Sequence, residues 1–390
     1  MSAPDAAVAL TAALVGIDSV NSTLVPGAAG ERAAAEFLAD RLVAQGFEID
    51  LLEPDGRPGR TSLLASVDFG PGPAIVLNGH LDTVGVEGMD DPFTARIDGD
   101  RMYGRGTCDM KGGVAGMVVA AEALLVDPPA GGRVLLALVA DEEDASVGTP
   151  TVIADLADRG ITPDLAVVGE PTWLDLAVAH RGFAVMRADL IGRATHTSRK
   201  EEGADALAAL ARLILEVEAH DAVLTSGDGH PLLGHGSAIV SVANGGSAPF
   251  TVAAHAQAWV ERRTLPGETG SDALKELEDL LVRVHHEMPE VASSAVLEME
   301  RASWEADASG AAVEFMNAVR SVATAVGAPA PSDIGAPYWM ESALWQGAGV
   351  PSVIYGPAGG SLHAVDEWVS VEQLRAYPRA LEAAMRAYLA

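Results

Sequence analysis

The chain has 390 residues, 55 acidic side chains against 25 basic ones, a formal charge of −30 and close to half of its residues apolar. That length exceeds what one hydrophobic core ordinarily serves, which predicts two domains, and basic residues so sparse make nucleic acid and anionic membrane surfaces poor partners. No apolar run reaches the ~20 residues of a membrane span, the segment Met1–Leu24 has no Lys or Arg to open a secretory signal, and a single cysteine, Cys108, precludes an internal disulfide, so a cytoplasmic location is expected.

In chain order, the first apolar run is Ala74–Leu77. A helical pattern follows at Val114, Met117, Val118, Ala121 and Leu125, then the runs Val134–Val139 and Leu165–Val168. Each run stops abruptly at polar or Gly residues and reads as a strand covered on both faces. Strands alternating with helices predict an α/β layer structure. Past residue 180 the texture changes. Phe183–Ile191 alternates like a half-buried strand; Leu207, Leu210, Ile214 and Val217 recur at helical spacing; Ser237–Ala243 and Thr251–Val260 read as strands; Leu274, Leu277, Leu281 and Val284 mark a helix. That order predicts a small α+β sandwich. After Pro289 the α/β texture resumes and includes a fourth buried run, Val353–Tyr355. The parse is therefore a discontinuous larger domain, residues 1–179 and 294–390, interrupted by an inserted domain over residues 180–293.

Acids and histidines gather just past the ends of those runs. His80 and Asp82 follow the first, Asp141-Glu142-Glu143 the second, Glu170 the third, and His363 follows the fourth after Tyr355-Gly356-Pro357. A fifth donor, Asp109, lies in the loop Gly104-Arg105-Gly106-Thr107-Cys108-Asp109-Met110-Lys111-Gly112-Gly113. Open α/β sheets bind ligands outside the carboxyl ends of their strands, so one edge would receive two imidazoles and three carboxylates. This donor set suits zinc or cobalt before manganese. Taken alone, His-x-Asp or an adjacent Glu pair is more often a solvated loop; the recurrence at four strand ends carries the reading. His220, His230, His235, His255, His285 and His286 stand in no motif and are expected in surface or core roles, as are His180 and Lys111.

The ordered motifs His80-Leu81-Asp82-Thr83-Val84, Gly104 to Gly113, Ala140-Asp141-Glu142-Glu143, Gly169-Glu170-Pro171-Thr172 and Gly356-Pro357 with His363-Ala364-Val365-Asp366-Glu367 resemble the metallopeptidase family of acetylornithine deacetylase, succinyl-diaminopimelate desuccinylase, aminoacylase and glutamate carboxypeptidase, over nearly the whole chain. The resemblance implies a mixed-sheet, zinc-peptidase-like catalytic domain with an inserted ferredoxin-like α+β dimerisation or lid domain. It implies that Asp109 bridges two divalent ions, with His80 and Glu170 on one and Glu143 and His363 on the other. Asp82 would accept the second N–H of the His80 imidazole, and Glu142 would be the general base for a metal-activated water. His196 would reach a partner subunit's site and stabilise the oxyanion, which makes a homodimer the expected state. Arg263 would take the substrate's α-carboxylate, its ordinary alternative being an ion pair with Glu261. Gly359 and Gly360 could offer backbone donors to substrate or be a plain flexible loop. Cys108 is expected to pack its loop.

Two positions depart from the family's pattern: Phe250 stands where an asparagine is common, and Glu341 where Asp is commoner. Glu170 in place of Asp resembles the deacylating members, so removal of a short acyl group from an N-acyl amino acid is expected. Dipeptidase or carboxypeptidase action is the nearest alternative. A catalytically silent metal-binding relative is disfavoured, because the base and all five ligand positions are present.

Overall fold

The computed structural model describes residues 3–390, which form two compact units. The first takes the chain up to Val178 and then Ala306–Ile334 and Met340–Ala390; the second is Ala179–Glu305 with Gly335–Trp339. The principal strands are, in chain order, β1 (Glu48–Leu52), β2 (Ser62–Asp68), β3 (Ala74–His80), β4 (Arg133–Val139), β5 (Leu165–Val168) and β6 (Leu176–His180). They continue with β7 (Gly182–Ile191), β8 (Ser237–Gly245), β9 (His255–Thr264), β10 (Ala292–Arg301) and β11 (Ser352–Ile354).

The first unit is built on a mixed sheet in the order β1-β2-β4-β3-β5-β11-β6. Its centre is parallel: β3 pairs in parallel with β4 and β5, and β11 pairs in parallel with β5. Parallel strands are buried on both faces, and the apolar runs fit that demand: Ile75, Val76 and Leu77 are all buried. One face is packed by α1 (Ala3–Val15), α2 (Arg32–Val43), α3 (Gly112–Val126), α7 (Ala311–Val322) and α9 (Val371–Tyr388), whose apolar residues join Ile75, Leu77, Leu136 and Val167 in one cluster. The shorter α4 (Gly148–Asp158) and α8 (Ser342–Gly347) pack on the sheet outside that cluster. No helix among the described residues is long and apolar enough to cross a membrane.

The second unit runs β7, α5 (Ala206–Leu224), β8, β9, α6 (Gly270–Glu287) and β10, with an antiparallel sheet in the order β8-β9-β7-β10. Two βαβ halves interleaved in this way are the ferredoxin-like arrangement. Ala184, Met186, Ala188 and Leu190 of β7 turn inward at strand period to meet Leu210, Leu213, Leu277 and Leu281 of the helices. Both helix starts are capped, α5 by the Asp205 carboxylate and α6 by a reciprocal Thr269–Asp272 box.

The inserted segment reaches further than residue 293. β10 pairs with β7 from Ala292 opposite Ile191 to Arg301 opposite Phe183, so the chain re-enters the first unit only at Ala306. The strand expected over Thr251–Val260 begins instead at His255 and runs to Thr264. Phe250 adopts a left-handed backbone with φ 67, and Val252 and Ala253 are buried in the turn that follows.

Helix α3 starts hard against β5. A Cβ on Gly113 would lie 2.1 Å from the Gly169 carbonyl oxygen, so only glycine permits the approach. Gly113→Ala should therefore lower stability by ~1–3 kcal/mol through forced backbone displacement, although alanine is the better helix former. Urea melts of the two proteins check the sign; a gain in stability would refute this packing account.

Candidate metal centre

The carboxyl ends of β3, β4, β5 and β11 lie along one edge because those strands run parallel. His80 is the last residue of β3, Glu142 and Glu143 sit in the turn after β4, Glu170 follows β5 by two residues, and His363 lies in the segment after β11. Asp109 comes from the loop that opens α3.

Asp109 stands between two clusters. Its Oδ1 is 3.0 Å from His80 Nε2, which is also 3.7 Å from Glu170 Oε1. Its other oxygen, Oδ2, is 3.2 Å from His363 Nε2, and that same nitrogen is 3.2 Å from Glu143 Oε2. Within each trio, His80–Asp109–Glu170 and Asp109–Glu143–His363, one donor atom per residue lies within 4.8 Å of the others. All five residues proposed as ligands from the sequence thus converge, with the carboxylate of Asp109 shared.

The electrostatics follow from burial. Desolvation and the neighbouring carboxylates hold Glu170 and Glu142 well above the usual carboxylate range, against the opposing pull of His80, and Glu143 is raised as well. Burial would raise Asp109 too, but the hydrogen bonds from His363 and His80 bring it down. His80 is raised well above an ordinary imidazole: burial works against this, and Asp109, Glu170 and Glu142 outweigh it. Glu143 keeps its Oε1 buried without a hydrogen-bond partner. Crowded buried carboxylates, two imidazoles and an unsatisfied oxygen form a donor set that fits divalent cations.

Asp82 does a different job from the one expected. The Nδ1 of His80 lies 3.0 Å from the main-chain oxygen of Asp82, while the Asp82 carboxylate is 3.6 Å away. The carboxylate instead accepts the backbone N–H groups of Glu142 and Glu143, both at 3.1 Å. Two residues of an extended chain bring the carbonyl, not the side chain, under the ring. Asp82 therefore fixes His80 through its backbone and the Glu142-Glu143 turn through its side chain.

Behind it lies a polar network that sequence reasoning missed. The Asn21 amide donates to Asp82 at 2.8 Å and to Asp141 at 3.0 Å, and its oxygen accepts from Arg60 at 2.6 Å. Arg60, itself buried, also donates to Glu31 and lies 3.1 Å from Asp141. Burial, with Asp82 nearby, pushes Glu31 up to about 7 despite Arg60. A lone asparagine and arginine far apart in the chain carry no pattern; only their burial marks them. Glu341, the second departure, is also buried, raised to about 7 by desolvation against hydrogen bonds with Thr149 and Asn78.

The remaining expected residues fall elsewhere. His196 is exposed in the second unit, where its ring lies 2.8 Å from Ser198 Oγ and accepts the Ser198 N–H. Arg263 is held by Glu261 at 2.6 Å and lies over the Phe183 ring, so the ion pair is what forms. Gly359 and Gly360 make a short strand against Trp368–Ser370, and a Cβ on Gly359 would meet the Trp368 carbonyl at 1.8 Å; close pairing, not loop flexibility, accounts for the glycine there. Cys108 packs with Met102, Val369 and Leu374, and burial pushes its thiol up, away from nucleophilic use. Lys111 donates to the Ile17 carbonyl, His220 pairs with Glu276, and His180 stacks on Trp304.

Residues 76–387 match the sequence family described as Peptidase family M20/M25/M40. The chain is 35% identical to succinyl-diaminopimelate desuccinylase of Dinoroseobacter shibae over 53% of its own length and 55% of that protein, so it spans about half of this relative. It is 30% identical to acetylornithine deacetylase of Proteus mirabilis over 69% of this chain and 68% of that one. With succinyl-diaminopimelate desuccinylase of Cereibacter sphaeroides it shares 30% identity over 94% of each chain. The solved structure of aminopeptidase PepT from Bacillus cereus superposes with a TM-score of 0.79 at 19% identity, covering 99% of this chain and 98% of that one, a likeness of fold.

In chelator-treated protein, hydrogen bonds to Asp109 and then Glu143 push His363 from its ordinary 6.5 up to about 10. A folded pKa above the unfolded one gives a contribution fully present below about 6.5 and lost as pH rises through about 10. The stability advantage of the metal-free wild type over metal-free His363→Ala should accordingly shrink across that interval. Urea melts at stepped pH test this, and an advantage independent of pH would contradict the ion pairs.

Proposed function

This chain belongs to peptidase family M20/M25/M40, a metallopeptidase family, and we propose that it hydrolyses the amide bond of a small N-acyl amino acid with two bound divalent cations, zinc before cobalt. The observation that carries the reading is the placement of Asp109, one oxygen facing each His–carboxylate pair. His80 and Glu170 would complete one cation's protein ligands, and Glu143 and His363 the other's. Such a cation pair supplies Lewis acidity to the amide carbonyl and makes a water acidic near neutral pH.

Glu142 serves as the proton carrier. Half-buried beside Glu170 and Glu143, it stands where a carboxylate can take a proton from the attacking water and return it to the leaving amine. Adjacent residues diverge in direction, so Glu143 can face a cation while Glu142 faces the water. The hydrogen bonds that the backbone N–H groups of Glu142 and Glu143 donate to the Asp82 carboxylate hold both in that arrangement. His196 is assigned to the oxyanion of a partner subunit's substrate, which makes the working form a homodimer, and Arg263 to the substrate carboxylate, for which it must exchange Glu261.

Two features favour an acyl group over a peptide: Glu170 at the third strand end, and relatives named desuccinylase and deacetylase. The test is an assay of N-succinyl, N-acetyl and N-formyl amino acids beside dipeptides. Chelation should abolish hydrolysis and zinc or cobalt restore it; full turnover in rigorously metal-free protein would defeat the mechanism, and faster turnover of dipeptides would overturn the acyl assignment. Glu142→Gln should keep its cations and lose ~100- to 10,000-fold in kcat. A near-normal kcat would remove Glu142 from its role.

A further inference from the structure

Glu367 follows His363 by four residues, is buried, and is unused in the chemistry above. Both of its oxygens are filled by N–H donors from the loop that carries Asp109. Oε1 accepts from Cys108 at 2.9 Å and from Asp109 itself at 3.1 Å. Oε2 accepts from Gly106 at 2.9 Å and from the Arg105 guanidinium at 2.8 Å. Arg105 is also buried, and it extends the clamp: its Nε donates to the Gly85 carbonyl at 3.1 Å and its Nη2 to the His363 carbonyl at 3.4 Å.

With four donors on two oxygens, Glu367 has no lone pair free for a cation and no access to substrate. What it does control is the backbone that sets Asp109, including that residue's own N–H. We propose that Glu367 is a positioning residue which, with Arg105, locks the Asp109 carboxylate in register with both cation sites. The inference rests on the two-cation reading given above. A carboxylate is required because all four partners are donors. The amide of glutamine accepts at one end only, and whichever way it turns, its NH2 faces two of those N–H groups.

The test is titration of metal-stripped protein with Co2+, followed by visible absorption and stoichiometry. Wild type should take two ions, and Glu367→Gln should bind both ~10- to 100-fold more weakly, the scale of losing an outer hydrogen-bond partner of a ligand. Its cobalt bands at saturation should be displaced. Glu143→Ala, by contrast, should weaken one ion. A role in general stability would lower the unfolding midpoint and leave both affinities within twofold of wild type, an outcome that overturns the proposal, as would weakening of one ion alone in Glu367→Gln. Fewer than two ions in wild type would sink the two-cation reading and this inference with it. Should Glu367→Gln not fold, amide hydrogen exchange in metal-free wild type decides: the Gly106, Cys108 and Asp109 N–H groups should exchange slowly, and unprotected exchange there refutes the clamp.

Discussion

Like charges crowded away from water are the constraint on which this molecule turns. Asp109, Glu142, Glu143 and Glu170 meet at one sheet edge where little solvent reaches them, and an uncompensated buried charge costs several kcal/mol. Glu142, Glu143 and Glu170 respond by holding protons more tightly. Asp109 alone is pulled the other way, because an imidazole faces each of its oxygens. The shared carboxylate is thus the one that keeps its negative charge, and a tolerable interior exists here only in company with positive charge.

The fold meets that constraint by division of labour. Parallel strands with apolar bodies supply the frame, and the donors stand at their carboxyl ends or in the loops beyond. Those residues are then held in place: the backbone N–H groups of Glu142 and Glu143 by the Asp82 carboxylate, and the residues after β5 by close packing against helix α3 that excludes any side chain at Gly113. Asn21 donates to both Asp82 and Asp141, and Arg60 pairs with Asp141, so the acids behind the site are themselves partnered by buried polar groups.

Much of this was legible in the sequence because it was local. A buried strand ending in His or Glu announces both the element and the donor, and the apolar runs at 74–77, 134–139 and 165–168 fall inside observed strands. What escaped was long-range or conformational. Nothing in the chain links Asn21 to Asp82 and Asp141, and the use of the Asp82 carbonyl in place of its carboxylate depends on the local path of the backbone. The end of the inserted unit was missed because Ala292–Arg301 alternates weakly and declares itself only by pairing with β7. The start of β9 lies later than the alternation suggests because Thr251 bridges to His196 instead and Val252 and Ala253 are both buried in the turn before the strand.

The two imidazoles differ in their exposure. His80 is sealed within the protein, whereas the side chain of His363 is 53% exposed. A solute reaching this edge meets the ring of His363 directly, whereas the ring of His80 is shut off from it. The two donor clusters that share Asp109 are therefore unequal in their access to the outside, one bordering the solvent and the other enclosed.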